Sequence, residues 1–288
     1  MGPRVSIVVP AHNEVSRVGG LLDDLSGLVA RGVASVVVVC NGCTDDTAKV
    51  ASSREGVHVV EIAPRGKSHA LNAGDVEAGD VYPRLYCDAD VRIDETSVIQ
   101  LTRALDGESA RAVGPRVNHD LANAHWIVRL FYEALGAPVV AGWINRHLVG
   151  RGLYGTNRAG RARFGEFPLL IADDLFFDAQ FDEGERVIVA AAQVTIPVPL
   201  SLRELLRREI RVAAGNRDLF VPRARSELTP YLEVRADNWR DRAANFARWF
   251  RQVRARDIAP LAVYSAVVGT SRLLLFVRSW RGSSLPWR

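Results

Sequence analysis

Short apolar runs alternate with amphipathic stretches over the first 120 residues. The runs are nearly continuously apolar and rich in β-branched residues, which indicates strands buried on both faces. Strands are predicted at 5–10, 34–40, 57–62 and 81–87. Between the runs, apolar residues recur at helical spacing, and helices are predicted at 21–29, 44–48, 68–76 and 96–105. Such alternation predicts an α/β fold with a largely parallel sheet flanked by helices.

The pattern changes after residue 120. Glycines punctuate residues 150–155, which are predicted to form a loop, and a long edge strand or strand pair is predicted at 187–198. Amphipathic helical spacing dominates the remainder. These helices are predicted at 122–135, 174–181, 202–214, 234–254 and 258–280.

Charge is distributed unevenly along the 288 residues, although the net charge is only +4. Residues 201–288 carry 18 Arg and 8 acidic residues, a net of +10, whereas residues 1–200 have a net of −6. A basic C-terminal region suggests an anionic partner such as phospholipid, a lipid phosphate or nucleic acid. The alternative is a solvated Arg-rich surface, because 35 of the 37 basic residues are Arg, as the coding bias of a GC-rich genome would produce.

Composition excludes several classes of protein. With 48% hydrophobic and 24% charged residues, the chain is neither disordered nor collagenous, and three cysteines are too few for a disulfide scaffold. No secretory signal is predicted, because the first apolar run is short enough to be a strand. The segment 258–277 resembles a membrane span, but Pro260, Gly269 and Arg272 interrupt it and favour an interfacial or core helix.

Polar residues follow each predicted strand of the first half. Because ligands collect at the carboxyl ends of parallel strands, these residues are expected to share one rim. The group comprises Glu14, Asp45, Asp46, Lys67, Asp88 and Asp90. The first strand is not followed by G-x-G-x-x-G, and no G-x-x-x-x-G-K-[ST] occurs, which argues against a dinucleotide oxidoreductase and against a P-loop kinase or NTPase.

Asp88-Ala-Asp90 is the most specific of these features. Two carboxylates two residues apart at a strand end can point into one crevice, where oxygen ligands suit Mn²⁺ or Mg²⁺. The alternative is that Asp is simply common in turns. No third ligand is obvious; candidates are His119, His125 and His147, each of which could equally be structural.

Five ordered motifs resemble the bacterial family 2 glycosyltransferases with the GT-A fold. The motifs are Ile7-Val-Val-Pro-Ala-His-Asn-Glu14, Asn41-Gly-Cys-Thr-Asp-Asp-Thr47, Gly66-Lys-Ser-His-Ala-Leu-Asn-Ala-Gly74, Asp88-Ala-Asp90 and Asp173-Asp174. The resemblance covers about residues 5–215. It implies a Rossmann-like GT-A domain over 1–215, followed by a basic helical extension over 216–288 that packs on the body or on a membrane surface.

The resemblance also implies residue roles. Asp174 matches the general base, with Asp173 in place of the more usual Glu on the acceptor side, and Asp90 matches the metal ligand, with Asp88 near the ribose and metal. The nucleotide sugar would be bordered by Pro10, Ala11, Asn13, Glu14, Cys40, Asn41 and Lys67. Gly155 and Asn157 resemble the acceptor-side loop. For Asp173-Asp174 the alternative is helix capping.

Two departures from the family pattern limit what the resemblance implies. Cys40 stands where an Asp usually reads uracil, and a thiol is a weak hydrogen-bonding group, so UDP, GDP and dTDP sugars all stay open. Arg207-Arg-Glu-Ile-Arg211 resembles a Q-x-x-R-W element without its Gln and Trp, which argues against processive synthesis. Arg208 and Arg211 could still cap the diphosphate, or they could lie on a solvated basic helix.

The expected activity is therefore a metal-dependent, inverting sugar transfer from a nucleotide-diphosphate donor to a hydroxyl acceptor. A lipid-linked or cell-surface glycan acceptor is expected, with cytoplasmic location, peripheral membrane association and no nucleic-acid partner. Alternatives are a nucleotidyltransferase, a non-catalytic nucleotide-sugar-binding module and a C-x-x-C redox protein based on Cys40 and Cys43. A structural zinc site is a further alternative, formed by Cys40, Cys43, Cys87 and His12.

Overall fold

A computed structural model of the chain describes residues 4–220 and 253–280. Two compact units emerge from its contacts. Of the described residues, the first contains 4–119 together with His147–Pro197, and the second contains Asp120–Arg146, 198–220 and 253–280.

The described residues form eight strands and ten α-helices. The strands are β1 Val5–Ala11, β2 Ala34–Asn41, β3 Val57–Ile62, β4 Arg84–Cys87, β5 Arg92–Ile93, β6 Ala112–Asp120, β7 Leu153–Thr156 and β8 Arg186–Pro197. The helices are α1 Val18–Ala30, α2 Thr47–Ser52, α3 Lys67–Ala78, α4 Glu95–Ala104, α5 Trp126–Glu133, α6 Pro138–Ile144, α7 Arg158–Arg161, α8 Asp173–Asp178, α9 Leu202–Phe220 and α10 Ile258–Trp280. Short 3₁₀ helices cover Ala134–Gly136 and Ala255–Asp257.

The sheet has the order β3-β2-β1-β4-β7-β6-β8-β5. The predicted α/β class is confirmed, and the parallel part of the sheet is the half β3-β2-β1-β4. The pairs β4–β7, β6–β7 and β5–β8 are antiparallel, so the sheet is mixed. β1 and most of β2 are buried, as their continuous apolar sequence requires.

The register of the parallel strands aligns their polar ends. Ala11 at the end of β1 pairs with Cys40 near the end of β2, and β4 runs parallel on the other side of β1. The segments that follow β1, β2 and β4 therefore leave the sheet at one edge, as expected for parallel strands.

Several elements differ from the sequence-based prediction. The predicted loop 150–155 contains strand β7, which pairs with two neighbours, and β6 was not predicted. Strand β4 begins at Arg84 and not at residue 81. Most of the helix predicted at 234–254 lies outside the described residues. The apolar–polar period of a four-residue strand such as β7 is too short to distinguish it from a loop.

The second unit is helical and has its own apolar cores. Val128 and Phe131 of α5 pack with Leu205 of α9 and Val267 of α10, and the ring centroids of Phe131 and Tyr264 lie 5.1 Å apart. Helix α9 continues through residue 215, where the sequence places the boundary between the GT-A domain and the extension, so the proposed extension would begin inside a helix. That division stays a prediction.

Among the described residues, one helical segment, Ala255–Val277, is long and apolar enough to cross a membrane, with a mean hydropathy of 1.6 in its best window. Only 28% of that window is buried. Among residues 271–277 of α10, Leu273 and Phe276 are the most exposed apolar residues, whereas Ser271 and Leu275 lie on the buried face of the helix. Length and composition alone do not distinguish a span from a surface helix.

Candidate active site

Acidic residues from separate parts of the first unit meet at the carboxyl edge of the parallel strands. Glu14 follows β1, and Asp88 and Asp90 follow β4, while Asp173 and Asp174 form the first turn of α8. Lys67 begins α3. The sequence analysis placed most of these residues on one rim, and the structure brings Lys67 into direct contact with carboxylates from two of the segments.

Lys67 bridges the segment after β4 and helix α8. Its Nζ lies 2.7 Å from Oδ1 of Asp88 and 2.9 Å from Oδ2 of Asp173. Burial would lower the pKa of Lys67, but the carboxylates of Asp173, Asp88 and Asp174 raise it above the ordinary value. The ammonium is therefore permanently charged. Because its side chain remains 33% exposed, that charge is also available at the surface of the site.

Asp173 is held from two sides within the protein. Its side chain is 4% exposed, and Oδ2 accepts a hydrogen bond of 2.7 Å from the hydroxyl of Tyr154 in addition to its ion pair with Lys67. Burial and the Asp173 carboxylate raise the pKa of Tyr154 well above its ordinary value, so the phenol stays a donor. These contacts hold Asp173 in a fixed position next to Lys67 and Asp174.

Asp174 is oriented by two backbone amides. Oδ2 accepts a hydrogen bond of 2.7 Å from the amide of Gly150, and Oδ1 accepts one of 2.8 Å from Leu175. Burial and the charge of Asp173 raise the pKa of Asp174 to about 6, whereas Lys67 and the Gly150 amide lower it. At neutral pH this carboxyl is ionised, yet it is more basic than an ordinary Asp, which suits a group that accepts a proton.

A second acidic pair lies beside the first. Arg17 Nη1 is 3.6 Å from Oδ2 of Asp90 and 3.9 Å from Oε2 of Glu14. Burial and the Asp90 charge raise the pKa of Glu14 to about 7, and burial and Asp88 raise the pKa of Asp90. One exposed arginine thus compensates two carboxylates incompletely, so the pair favours an additional cation.

The donor set fits a divalent cation held partly by substrate. Asp88 and Asp90 are hard oxygen ligands in a region of excess negative charge, and Mg²⁺ is typically bound by one or two carboxylates together with phosphate and water oxygens. Within residues 4–220 and 253–280, no group of three or more His, Cys, Asp or Glu side chains forms a ready-made metal cage. His125 instead accepts the amide of Ile127, and His147 contacts Asp178.

Several of the residues predicted to border a nucleotide form hydrogen bonds within the protein, which connect the segments at the ends of β1 and β2. Asn41 is buried; its Nδ2 donates to the Ala11 carbonyl at 2.8 Å and its Oδ1 accepts the Gly66 amide at 3.1 Å. Asn13, in a left-handed conformation that Asn tolerates, accepts the Thr44 amide at 2.8 Å. Pro10 is buried at the end of β1. Their role towards a nucleotide stays a prediction, and these bonds shape the rim that would receive one.

The other two predicted acceptor-side residues, Gly155 and Asn157, also make contacts within the protein. Asn157 caps α7 by accepting the Gly160 amide, and it donates to the carbonyl of Ser109. Gly155 lies in β7 so close to β4 that an added Cβ would be 2.3 Å from Leu85 Cδ2. These contacts give the acceptor role of Gly155 and Asn157 no support, and it stays a prediction.

The two predicted arginines lie on α9 in the second unit. Arg208 Nη1 is 2.7 Å from Oε1 of Glu209, and its guanidinium lies 6.0 Å from the ring centroid of Tyr132. Arg211 is exposed on the same helix. Their predicted role as diphosphate contacts is not tested by these interactions.

The thiols do not favour redox chemistry. All three cysteines are free, and burial together with Cys43 raises the pKa of Cys40 to about 12. Burial likewise raises the pKa of Cys87. Because the thiolate is the reactive form, Cys40 is an inert, buried side chain at neutral pH.

Sequence reasoning missed three contributors to the site: Tyr154, Arg17 and Gly150. Tyr154 and Gly150 lie in the segment predicted as a loop, and each contacts an aspartate distant in sequence. No local pattern could identify these pairings. For Arg17, its position one helical turn after Glu14 is the only available signal.

Residues 6–164, more than half of the chain, match the family model described as glycosyl transferase family 2. No curated protein sequence matches the chain significantly.

Solved structures of glycosyltransferases share the fold, among them the following. A mannosyltransferase from Pyrobaculum calidifontis, in complex with GDP-Man and Mn²⁺, aligns with a TM-score of 0.61 and 18% identity over 99% of this chain and 89% of its own. Glucosyl-3-phosphoglycerate synthase from Mycobacterium tuberculosis, in complex with phosphoglyceric acid, aligns with a TM-score of 0.53 and 21% identity over 74% of this chain and 78% of its own. The same synthase with Mn²⁺, UDP and glucosyl-3-phosphoglycerate has a TM-score of 0.51. At such identities the likeness establishes the fold alone.

Proposed function

Because this chain belongs to glycosyl transferase family 2, we propose that it transfers a sugar from a nucleotide-diphosphate donor to a hydroxyl acceptor with inversion at the anomeric carbon. The family membership comes from the match over residues 6–164. The observation that carries the proposal is the pairing, in one site, of a basic carboxylate at Asp174 with the Lys67 ammonium and the Asp88-Asp90 carboxylates.

Asp174 supplies the base of the proposed reaction. An acceptor hydroxyl must lose its proton as its oxygen attacks the anomeric carbon, and a carboxylate with a pKa of about 6 is both ionised at neutral pH and basic enough to take that proton. The amides of Gly150 and Leu175 orient both carboxylate oxygens. A single displacement assisted by one base inverts the anomeric centre.

Lys67 supplies charge for the leaving group. The departing nucleoside diphosphate gains negative charge, which a preorganised ammonium stabilises without having to reorganise. Lys67 is already fixed by Asp88 and Asp173, so its charge is positioned before substrate arrives. Asp88 and Asp90 would hold Mn²⁺ or Mg²⁺, which when bound supplies further positive charge for the diphosphate oxygens.

The alternatives explain less of this site. A redox protein would use Cys40, whose raised pKa keeps the thiol protonated, and the described residues contain no zinc cage. A non-catalytic binding module would not need a basic, amide-oriented Asp174. A nucleotidyltransferase would be expected to carry a Gly-rich basic loop after the first strand, where this chain has Ala11-His-Asn-Glu14.

A ligand-binding experiment tests the donor and the metal together. Thermal unfolding is measured with UDP, GDP and dTDP, each with and without Mn²⁺, because a ligand that binds only the folded state raises stability by mass action. One nucleotide should raise the Tm strongly only with Mn²⁺, and Asp90→Asn should abolish that increase. Stabilisation of Asp90→Asn equal to that of the natural chain would disprove the metal assignment.

We also propose that the acceptor is lipid-linked or belongs to a cell-surface glycan, and that the enzyme is cytoplasmic and associates peripherally with the inner face of the cell membrane. The last turns of α10 support this proposal, because Leu273 and Phe276 are 62% and 61% exposed and Arg272 beside them is exposed too. In sequence, Arg278, Trp280 and Arg281 follow at once. Apolar, aromatic and Arg side chains together are typical of binding to anionic lipid surfaces.

Co-sedimentation with vesicles tests this association. The full chain should bind vesicles containing phosphatidylglycerol, with less binding at high salt because screening weakens the attraction. The double change Leu273→Ser and Phe276→Ser should reduce binding. Val76→Ser is the matched control, since Val76 is 77% exposed in the first unit, on α3. Equal binding by all three proteins would refute a role for α10.

A further inference from the structure

One loop connects the candidate base with the aspartate pair. We define the bridging loop as residues His147–Gly152. The amide of Gly150 donates to Oδ2 of Asp174 at 2.7 Å, and the carbonyl of Gly152 accepts the amide of Asp88 at 2.8 Å. Gly150 and Gly152 have φ values of 68° and 65°, a conformation that favours glycine. The backbone of this loop therefore touches both acidic parts of the site.

The start of the bridging loop is fastened to Asp178, one helical turn after Asp174 on α8. Oδ1 of Asp178 accepts the amide of Leu148 at 2.7 Å, and Oδ2 lies 2.7 Å from Nδ1 of His147. Arg186 Nη1 donates to the same Oδ2 at 2.5 Å. Asp178 is only 2% exposed, so it uses its charge for these three partners.

The other side of the bridging loop is fastened by Arg151. Its Nε donates to the His147 carbonyl and its Nη1 to the Pro115 carbonyl, each at 2.8 Å. The guanidinium is almost fully buried. Since buried polar groups are costly unless bonded, this arrangement resists displacement of the loop.

We propose that Asp178 is a positioning residue for the transfer reaction, which fixes the bridging loop so that the Gly150 amide is held on Asp174. This inference rests on the proposed role of Asp174 as the base. Asp178 acts through the loop and touches neither donor nor acceptor. Loss of its contacts frees the loop at Leu148, two residues before the amide that orients the base.

The direction in which the kcat–pH profile shifts distinguishes this positioning role from a direct electrostatic effect of the Asp178 charge on Asp174. Besides the amides of Gly150 and Leu175, the charged groups that face Asp174 are Asp173, Lys67 and Asp88. Losing the Gly150 bond, which favours the ionised form, would raise the pKa of Asp174. Losing the negative charge of Asp178 through space alone would lower it. The two mechanisms therefore move the acidic limb of the kcat–pH profile in opposite directions.

The experiment compares Asp178→Asn and Asp178→Ala in the full chain. The Asn side chain retains an oxygen that can accept the Leu148 amide, whereas Ala has none. We expect Asp178→Ala to lower kcat about ten- to a hundred-fold, the scale of misplacing a reacting group. The acidic limb should move to higher pH, and Asp178→Asn should show smaller changes of the same sign.

Asp75→Asn is the matched control for lost stability. Asp75 is another buried aspartate of the first unit, and its carboxylate is bound by Arg84, Arg161 and Tyr86 and not by the bridging loop. Its replacement should lower the Tm without moving the acidic limb. All assays are run below the onset of unfolding of each variant, so that the folded fraction is the same.

Three outcomes decide the inference. A shift of the limb to higher pH in Asp178→Ala, with the affinity for the nucleotide diphosphate and Mn²⁺ retained, supports it. An unmoved limb, or a shift to lower pH, overturns it. Asp174→Asn is assayed in parallel. If Asp174→Asn keeps its activity, the assignment of Asp174 as the base is wrong. If Asp174→Asn is inactive and the acidic limb of Asp178→Ala does not move, only the role of Asp178 is refuted.

Discussion

Two clusters of charged residues in the first unit show opposite charge balances. In the core, Asp75 faces Arg84 Nη1 at 2.7 Å and Arg161 Nη2 at 2.8 Å, and Tyr86 donates to it at 2.9 Å. At the rim, five carboxylates share two cations, Lys67 and Arg17. The five are Glu14, Asp88, Asp90, Asp173 and Asp174.

The difference in charge balance indicates a different role for each cluster. The core cluster satisfies its buried carboxylate with two arginines, as a structural ion pair must. Burial, together with the negative charge that the rim cluster leaves uncompensated, raises the pKa of Glu14, Asp90 and Asp174. Such an arrangement is unfavourable unless a ligand supplies positive charge or a proton, and it is typical of functional sites.

The largest expected effect tests the rim. Asp174→Asn should leave nucleotide binding nearly unchanged but lower turnover by a factor on the order of 10² to 10⁴, because the amide cannot accept the acceptor's proton. Steady-state kinetics with the nucleotide sugar measures this. Asp173→Asn is the control, because Asp173 contacts Lys67 and Tyr154 and is expected to affect stability and Lys67 placement more than proton transfer. A crippled Asp173→Asn with a mild Asp174→Asn would assign the base to the other residue.

The next effect tests the core. Arg84→Met should lower the free energy of unfolding by roughly 3–5 kcal/mol, because it leaves buried Asp75 with fewer cationic partners. Urea unfolding measures this change. Arg158→Met is the matched control: both arginines lie 4.6 Å from the Tyr82 ring, but the Arg158–Asp80 ion pair is exposed and should contribute about 1 kcal/mol or less. Equal losses would contradict the contrast between buried and exposed pairs.

A smaller effect concerns pH. The raised pKa values of Glu14 (about 7) and Asp174 (about 6) mean that the folded state binds more protons than the unfolded state between about pH 5 and 7. The ligand-free protein should therefore lose stability as pH rises through this window. Glu14→Gln should reduce the loss by about 1 kcal/mol, since one pKa unit corresponds to 1.36 kcal/mol before screening. Urea unfolding at pH 5.5 and 8 measures both proteins. Identical slopes for the two would refute the charge imbalance at Glu14.

The smallest effect is expected at the cysteines. Replacing Cys40 and Cys43 by Ser should leave turnover and Mn²⁺-dependent nucleotide binding in place, with at most an altered preference for the base. The reason is that the Cys40 thiol stays protonated and all three thiols are free. Kinetic assays and zinc analysis of the purified variant decide the point. Release of bound zinc or loss of activity would revive the metal or redox alternatives.

Local pattern was sufficient for the strongest elements. The continuously apolar, β-branched β1 and β2 and the polar residues after them were recognised because burial on both faces leaves a clear sequence signal. The resemblance carried by these motifs and by Asp88-Ala-Asp90 is confirmed by the family match over residues 6–164. The roles assigned to individual residues stay predictions.

Elements with weak local signals were missed. Strand β7 has four residues and contains a glycine, so its sequence indicates a loop; it is a strand because β4 and β6 provide hydrogen-bond partners on either side. Asn157 matched the acceptor-side loop motif in sequence. In the structure its side chain caps α7 and donates a hydrogen bond to the backbone carbonyl of Ser109. A motif assigns a residue type to a position without saying which atoms that residue will contact.

The sequence by itself determined the α/β class, the family and the set of acidic residues that leave the sheet at one edge, because hydrophobic periodicity and ordered motifs are properties of the chain. Only the tertiary structure decided which of these residues meet. Lys67 pairs with Asp88 and Asp173, Tyr154 holds Asp173, and Gly150 orients Asp174. These contacts join residues far apart in sequence, and the burial and charge that they impose set the proton affinity of Asp174, which no local pattern encodes.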